Sequence, residues 1–216
     1  MKKLLILWFS LTCILSNVSA QEKIKEGFLF DQFKNGNIYY QDGRQFINIP
    51  LNYNLITHQF VFIDKKDGNQ EKEFTEPGMI VAIEIDKRTF LPPSEGATEI
   101  IQAEPPFYVS YEGSIRKTKA TSYGGETMTA SVDTYSQIRG VGTIGGTEGT
   151  KQSLAATNKV YKIKVGKKNK RFSSKKDFLK LFPEKKEVLE KYIEEQKIDF
   201  ENVDQVLGLY NHTLRL

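Results

Sequence analysis

The chain has 216 residues, Phe and Tyr number 14 and 10, and the formal net charge is only +4. That length suits one globular domain, with or without an appendage, and the aromatic content supplies an adequate core. The near-neutral balance does not predict a polyanion such as nucleic acid as partner. One cysteine excludes a disulfide framework within the chain.

The first twenty residues read as an export signal. Lys2 and Lys3 form a positive start, and they account for half of the net charge. Leu4 to Leu15 form an uncharged apolar run, and Val18-Ser19-Ala20 places small residues before Gln21. This pattern predicts cleavage between Ala20 and Gln21 and a destination in the periplasm or outside the cell. The run is too short for a membrane span, and no later segment holds eighteen apolar residues, so no transmembrane segment is expected after cleavage. Cys13 lies inside the signal. Lipoprotein processing would need cleavage directly before it, and Ser10-Leu11-Thr12 is a poor match to that site. The mature chain therefore has no thiolate chemistry.

From Phe28 to Val165 the hydrophobic period is close to two. Asn35-Gly36 and Asp42-Gly43 predict tight turns bracketing Asn37 to Gln41. A strand from Arg44 to Tyr53 follows. Pro50 interrupts it and cannot donate to a ladder, so an edge or a bulge is expected there. Ile56 to Asp64 is the next strand, ended by Lys65-Lys66-Asp67-Gly68, which reads as a hairpin turn and not a calcium loop. Glu76-Pro77-Gly78 is a further turn. Met79, Val81, Ile83 and Ile85 are expected on one face, with Glu84 and Asp86 opposite. Arg88 to Leu91 pairs back across Asp86-Lys87.

Phe107, Val109, Tyr111 and Ile115 alternate with Ser110, Glu112, Ser114 and Arg116. Tyr161, Ile163 and Val165 alternate with Val160, Lys162 and Lys164. One dry and one wet face mark an antiparallel sheet. Lys117 to Thr157, rich in glycine and threonine, reads as a loop, an arm or a poorly patterned hairpin, with weak alternation at Met128, Ala130 and Val132.

After Phe172 the period becomes helical. Ser174 with Asp177 resembles a capping box, Pro183 suits a first helical turn, and Asn202 with Gln205 caps a third helix. Val188, Leu189, Tyr192 and Ile193 are the expected buried face of the second helix. Val203, Val206, Leu207 and Tyr210 are that of the third. The predicted class is α+β, mainly β: an antiparallel barrel, roll or sandwich over 21–172, with short helices over 173–216 packed on it.

The signal ending in Ala20-Gln21 carries a resemblance, together with Leu51-Asn52-Tyr53-Asn54 within Phe46 to Phe62. The tail carries it too, with Lys-Leu-Phe-Pro from Lys180 and then Ile198-Asp199-Phe200. The chain resembles exported proteins of unknown function from Bacteroidota-type bacteria over most of its mature length. The resemblance implies a compartment, and brings no activity, cofactor or site residues with it.

Candidate chemistry is sparse. Gly140 to Gly145 matches the G-x-G-x-x-G string, but poor helix starters follow it and no acid lies about twenty residues on. His58 reads as a half-buried strand histidine, and His212 as the end of the last helix. Two histidines without cysteines do not make a structural zinc site unless carboxylates complete it. No nucleophile elbow occurs. Asp31, Asp42, Asp64 and Glu84 are conceivable members of a glycosidase pair.

Lys164, Lys167, Lys168, Lys170, Arg171, Lys175 and Lys176 form a basic run without an acid. It reads either as an anionic-ligand patch or as a lysine-protected sheet edge balanced by the acid-rich second helix. The expectation is an exported, non-enzymatic binding or scaffolding module of the cell envelope, with no cofactor, recognising an envelope protein or glycan through the Gly/Thr-rich arm and an exposed edge. A carboxylate-dependent glycan hydrolase and a binder of anionic polymers are the alternatives.

Overall fold

Period-two residues build one antiparallel sheet. A computed structural model describes residues 27–120, 126–128, 133–134 and 150–216; the predicted signal and the Gly140–Gly145 string lie outside them. β1 (Lys34–Tyr40), β2 (Gln45–Asn54), β3 (Gln59–Asp64) and β4 (Gln70–Glu73) form a meander. β5 (Ile80–Ile85) returns to the free side of β1. β6 (Arg88–Phe90), β7 (Ala97–Gln102) and β8 (Phe107–Ala120) continue outward from it. β9 (Glu126–Met128) and β10 (Asp133–Thr134) pair with the distal part of β8. β11 (Thr150–Val165) pairs along almost all of β8, and β12 (Lys168–Phe172) ends the path. The class is α+β, mainly β, as the sequence predicts. Strand pairing also enters the Gly/Thr-rich stretch from both ends, through β8 and β11.

The sheet rolls up on its apolar face. Phe60 on β3 and Phe90 on β6 are separated by β2, β1 and β5, which would hold them about 19 Å apart in a flat sheet. Their ring centroids are 5.7 Å apart. The β2–β3 turn folds across to β8, where a Cβ on Gly113 would lie 2.4 Å from the Leu55 carbonyl. Glycine is required there by proximity.

Two bulges set the faces. Asn37 on β1 stands opposite both Ile47 and Asn48 on β2, and the Asn48 N–H donates to Asn37 Oδ1 at 3.0 Å. Asn48 adopts φ of 56°, a left-handed value that asparagine tolerates. Asn35-Gly36 is therefore not a turn. It lies inside β1, and a Cβ on Gly36 would sit 2.2 Å from the Glu84 carbonyl. Asp42-Gly43 does turn the chain, with Gly43 at φ of 87°. The second bulge is at β5, where Val81 is the extra residue against Tyr39 and Tyr40. It flips the strand's start, so Ile80, Ile83 and Ile85 are buried while Val81 is 47% exposed. The expected grouping of Val81 with Ile83 fails for that reason.

Three helices complete the core: α1 (Lys175–Leu181), α2 (Lys186–Glu195) and α3 (Val203–Arg215). Ser174 Oγ accepts from the Asp177 amide, and Asn202 Oδ1 from the Gln205 amide, as the capping residues predict. Pro183 opens a 3-10 turn leading into α2. Leu189 and Ile193 are buried, but Val188 faces outward. Aromatic contacts run without a break from sheet to helices: Phe107 to Tyr210, Tyr161 to Phe172, and Phe172 to Phe178, with centroids 5.7, 5.2 and 5.0 Å apart.

Two polar devices sit inside the roll. Asn52, fully buried, accepts from the Phe30 and Tyr53 amides and donates to the Phe30 carbonyl, holding residues 28–30 against β2. Arg88 donates twice to Glu99, at 2.8 and 2.6 Å, and Tyr111 Oη donates to the same carboxylate at 2.8 Å.

Burial pushes the Tyr53 and Tyr161 hydroxyls up to about 12. Above pH 10 the unfolded chain loses these protons while the fold keeps them. Stability is therefore full below pH 10 and falls between pH 10 and 12. Urea midpoints measured across that interval are expected to drop steeply, and Tyr53→Phe to flatten the drop. An unchanged midpoint at pH 11.5 (an order-of-magnitude bound from those shifts) would contradict the assignment.

Candidate functional site

Pro50 marks the place where the sheet opens. β2 pairs with β1 from Gln45 onward, but its pairing with β3 begins only at Leu51, opposite Phe62. Residues 45–50 therefore have a strand on one side, and none among the described residues on the other. Both expectations for Pro50 hold: it sits on a local edge, next to the Asn48 bulge.

The divergence of β2 from β3 leaves a groove of about 440 Å³. Phe46, Ile49, Pro50, Phe62, Ile63 and Phe74 give it an apolar lining. Phe62 and Phe74 stack at 4.9 Å, and Phe46 meets the Tyr40 ring edge-on at 5.8 Å. Phe46 and Ile47 are 46% and 53% exposed, unusual for consecutive large apolar residues. Arg44 lies just before β2, at the end where β2 and β3 are parted. It covers the Tyr40 ring at 4.8 Å and pairs with Asp42 and Glu76, each at 2.6 Å. Lys65 and Lys66, on the β3–β4 turn, also line the groove.

A second recess, about 290 Å³, includes His58, Phe60, Glu73, Phe74 and Ser94 in its lining. His58 is in the β2–β3 turn at φ of 58°, not in the strand, because Asn54 Oδ1 accepts from the amides of Ile56 and Thr57 and the turn runs on until β3 starts at Gln59. Burial lowers its pKa, against an opposing pull from Glu112. Ser94 lies on a 3-10 turn, away from any strand-to-helix elbow. His212 occupies the last turn of α3, as expected, stacked on Tyr192 at 3.9 Å.

The candidate carboxylates are dispersed. Asp31 pairs with Lys34 at 3.3 Å, and Glu84 accepts from Tyr39 Oη and Asn37 Nδ2. The Arg44 amide and guanidinium hold Asp42 below its usual range. Lys72 does the same for Asp64 across a 2.8 Å contact.

No family model, curated protein or solved structure matches this chain.

The basic run folds as the β11–β12 hairpin and the start of α1. Arg171 pairs with Glu112, Lys175 reaches Glu194 at 2.9 Å and Glu190 at 3.6 Å, and Asp177 is held below its usual range by the Ser174 hydroxyl first and Lys180 next, with Lys176 the least of the contributors. Lys164, Lys167, Lys168 and Lys170 surround the Gly166 turn, all exposed, with no described carboxylate within 4.0 Å. The seven residues are thus neighbours in sequence but divide into engaged cations and a charged tip. Phe46, Phe62 and Phe74 escape a reading by composition because each alone is an ordinary strand aromatic. The sequence signal nearest to them is Pro50, which predicts only an edge or a bulge.

Proposed function

We propose that this chain is an exported, non-enzymatic binding or scaffolding module of the cell envelope, and that it captures an extended polypeptide along the free side of β2. The observation that carries this reading is the parting of β2 from β3 at Leu51, with Phe46 exposed over an apolar groove. An added strand gains main-chain hydrogen bonds from residues 45–49, while its alternate side chains enter the groove. Lys65 and Lys66 favour an acidic residue at one end of that strand. Pairing of β8 with β11 takes part of the Gly/Thr-rich stretch into the sheet, which moves the proposed contact from that stretch to the β2 edge. Asp31, Asp42 and Asp64 each hold a cation, so binding is favoured over glycan hydrolysis.

Phe46→Asp tests the contact. A central aromatic anchor contributes about 2 kcal/mol, so Kd for a crosslinked and then identified partner is expected to rise roughly thirtyfold, with the melting temperature held. Unchanged affinity would remove the groove from the function. N-terminal sequencing of the exported protein is expected to begin at Gln21, and finding Met1 intact outside the cytoplasm would overturn the cleavage.

A further inference from the structure

α3 and β11 run side by side in the same direction. Lys159 Nζ donates to the Glu201 carbonyl and Tyr161 Oη to the Phe200 carbonyl, just ahead of the helix. Tyr210 Oη then donates to the Lys164 carbonyl at 3.3 Å, two residues before the Gly166 turn. Asn211 meets Gln102 at 3.2 Å, at the end of β7. From there the helix rises about 1.5 Å per residue, which carries Leu214, Arg215 and Leu216 to the level of the β11–β12 turn. The start of α2 lies at the same end, because Lys185 Nζ donates to the Thr213 carbonyl at 3.0 Å.

Two unusual surfaces therefore coincide. Val188, Leu214 and Leu216 are 54%, 48% and 52% exposed, among the most exposed large apolar residues described. At the same end lie the four tip lysines with Lys186 and Arg215, all exposed. Glu104, Glu184 and Glu187 belong to the same end and are outnumbered. A soluble polyanion would use the cations and leave the apolar residues in water. A hydrophobic protein groove would use the apolar residues and bury lysines without partners. Apolar side chains and lysines at one end satisfy both halves at the boundary between headgroups and acyl chains.

We infer that this end of the molecule docks on an anionic phospholipid surface, with the tip lysines at the phosphates and Leu214, Leu216 and Val188 at the acyl boundary. The inference is independent of the β2 groove.

Co-sedimentation of the full chain with vesicles tests it. Binding is expected to equal mixtures of phosphatidylglycerol and phosphatidylcholine, to weaken with salt, and to vanish on phosphatidylcholine alone. Each lysine near an anionic surface contributes about fivefold in affinity, so the combined Lys167→Ser, Lys168→Ser and Lys170→Ser variant should lose roughly a hundredfold. Leu214→Ser with Leu216→Ser should lose about tenfold. These side chains are exposed, so the circular dichroism melting curve should match wild type. No binding to anionic vesicles overturns the inference. So does retention by the leucine variant, which would make the tip a soluble-polyanion site with polyphosphate as an equal ligand. A dimer dissolved by the leucine substitutions would assign the face to a second copy, and also overturns it.

Discussion

Replacing Arg88 with methionine is expected to lower the unfolding free energy by about 3–5 kcal/mol, because it strands a buried charge. Glu99 is 7% exposed and takes both of its short guanidinium contacts from Arg88. Without them, the Tyr111 hydroxyl alone among the described residues remains to compensate the carboxylate. The guanidinium also lies over the rings of Phe30, Tyr111 and Phe90 at 4.8, 5.0 and 5.2 Å, so its loss removes packing as well as charge. The double variant Arg88→Met with Glu99→Leu removes both charges, and should recover most of the loss. Urea denaturation of the two variants measures this. A single variant within about 1 kcal/mol of wild type would mean that water reaches Glu99 and that the pair is not interior.

Phe178→Ala is expected to cost about 3–5 kcal/mol. Phe178 is fully buried on α1 and touches the rings of Phe172 on β12, Phe182 and Phe200. The cavity would therefore open where three helices and the last hairpin meet. The sheet and the helices share one core, so the loss should appear as a single earlier transition by both near-ultraviolet and far-ultraviolet circular dichroism. Helical signal melting first, with the strands keeping the wild-type midpoint, would show the tail to be a separate unit.

Much of this architecture is written in alternation. Phe107, Val109 and Tyr111 are buried as their spacing predicts, and so are Tyr161 and Ile163; Ser110 and Ser114, expected on a wet face, are buried as well, so the middle of β8 is covered on both sides. The helix caps at Ser174 and Asn202 are legible because they depend on side chains three residues apart. What escaped is non-local. Gly113 holds a core-facing position in β8 because the Leu55 carbonyl arrives there from the far side of the roll, and nothing within β8 announces that neighbour. Arg88 shares a face with buried Phe90, and its partner Glu99 comes from the next strand, which alternation within β6 does not announce. The Val81 bulge resets parity at the start of a strand whose pattern looks regular. The groove was legible only at Pro50, since Phe62 and Phe74 meet through a hairpin closed by Asp64 and Lys72. The charged tip separates from its engaged neighbours only once Glu112, Glu190 and Glu194 are placed in space.

The shared core has a temporal corollary. Phe178, Leu189, Val206 and Tyr210 come from the final segment of the sequence, yet they cover Phe107 and Tyr161, which precede them. Any machine that delivers the polypeptide from its amino end, ribosome or secretion channel, must hand over nearly all of it before the interior can be sealed. Until then the hairpins emerge with an oily side unshielded.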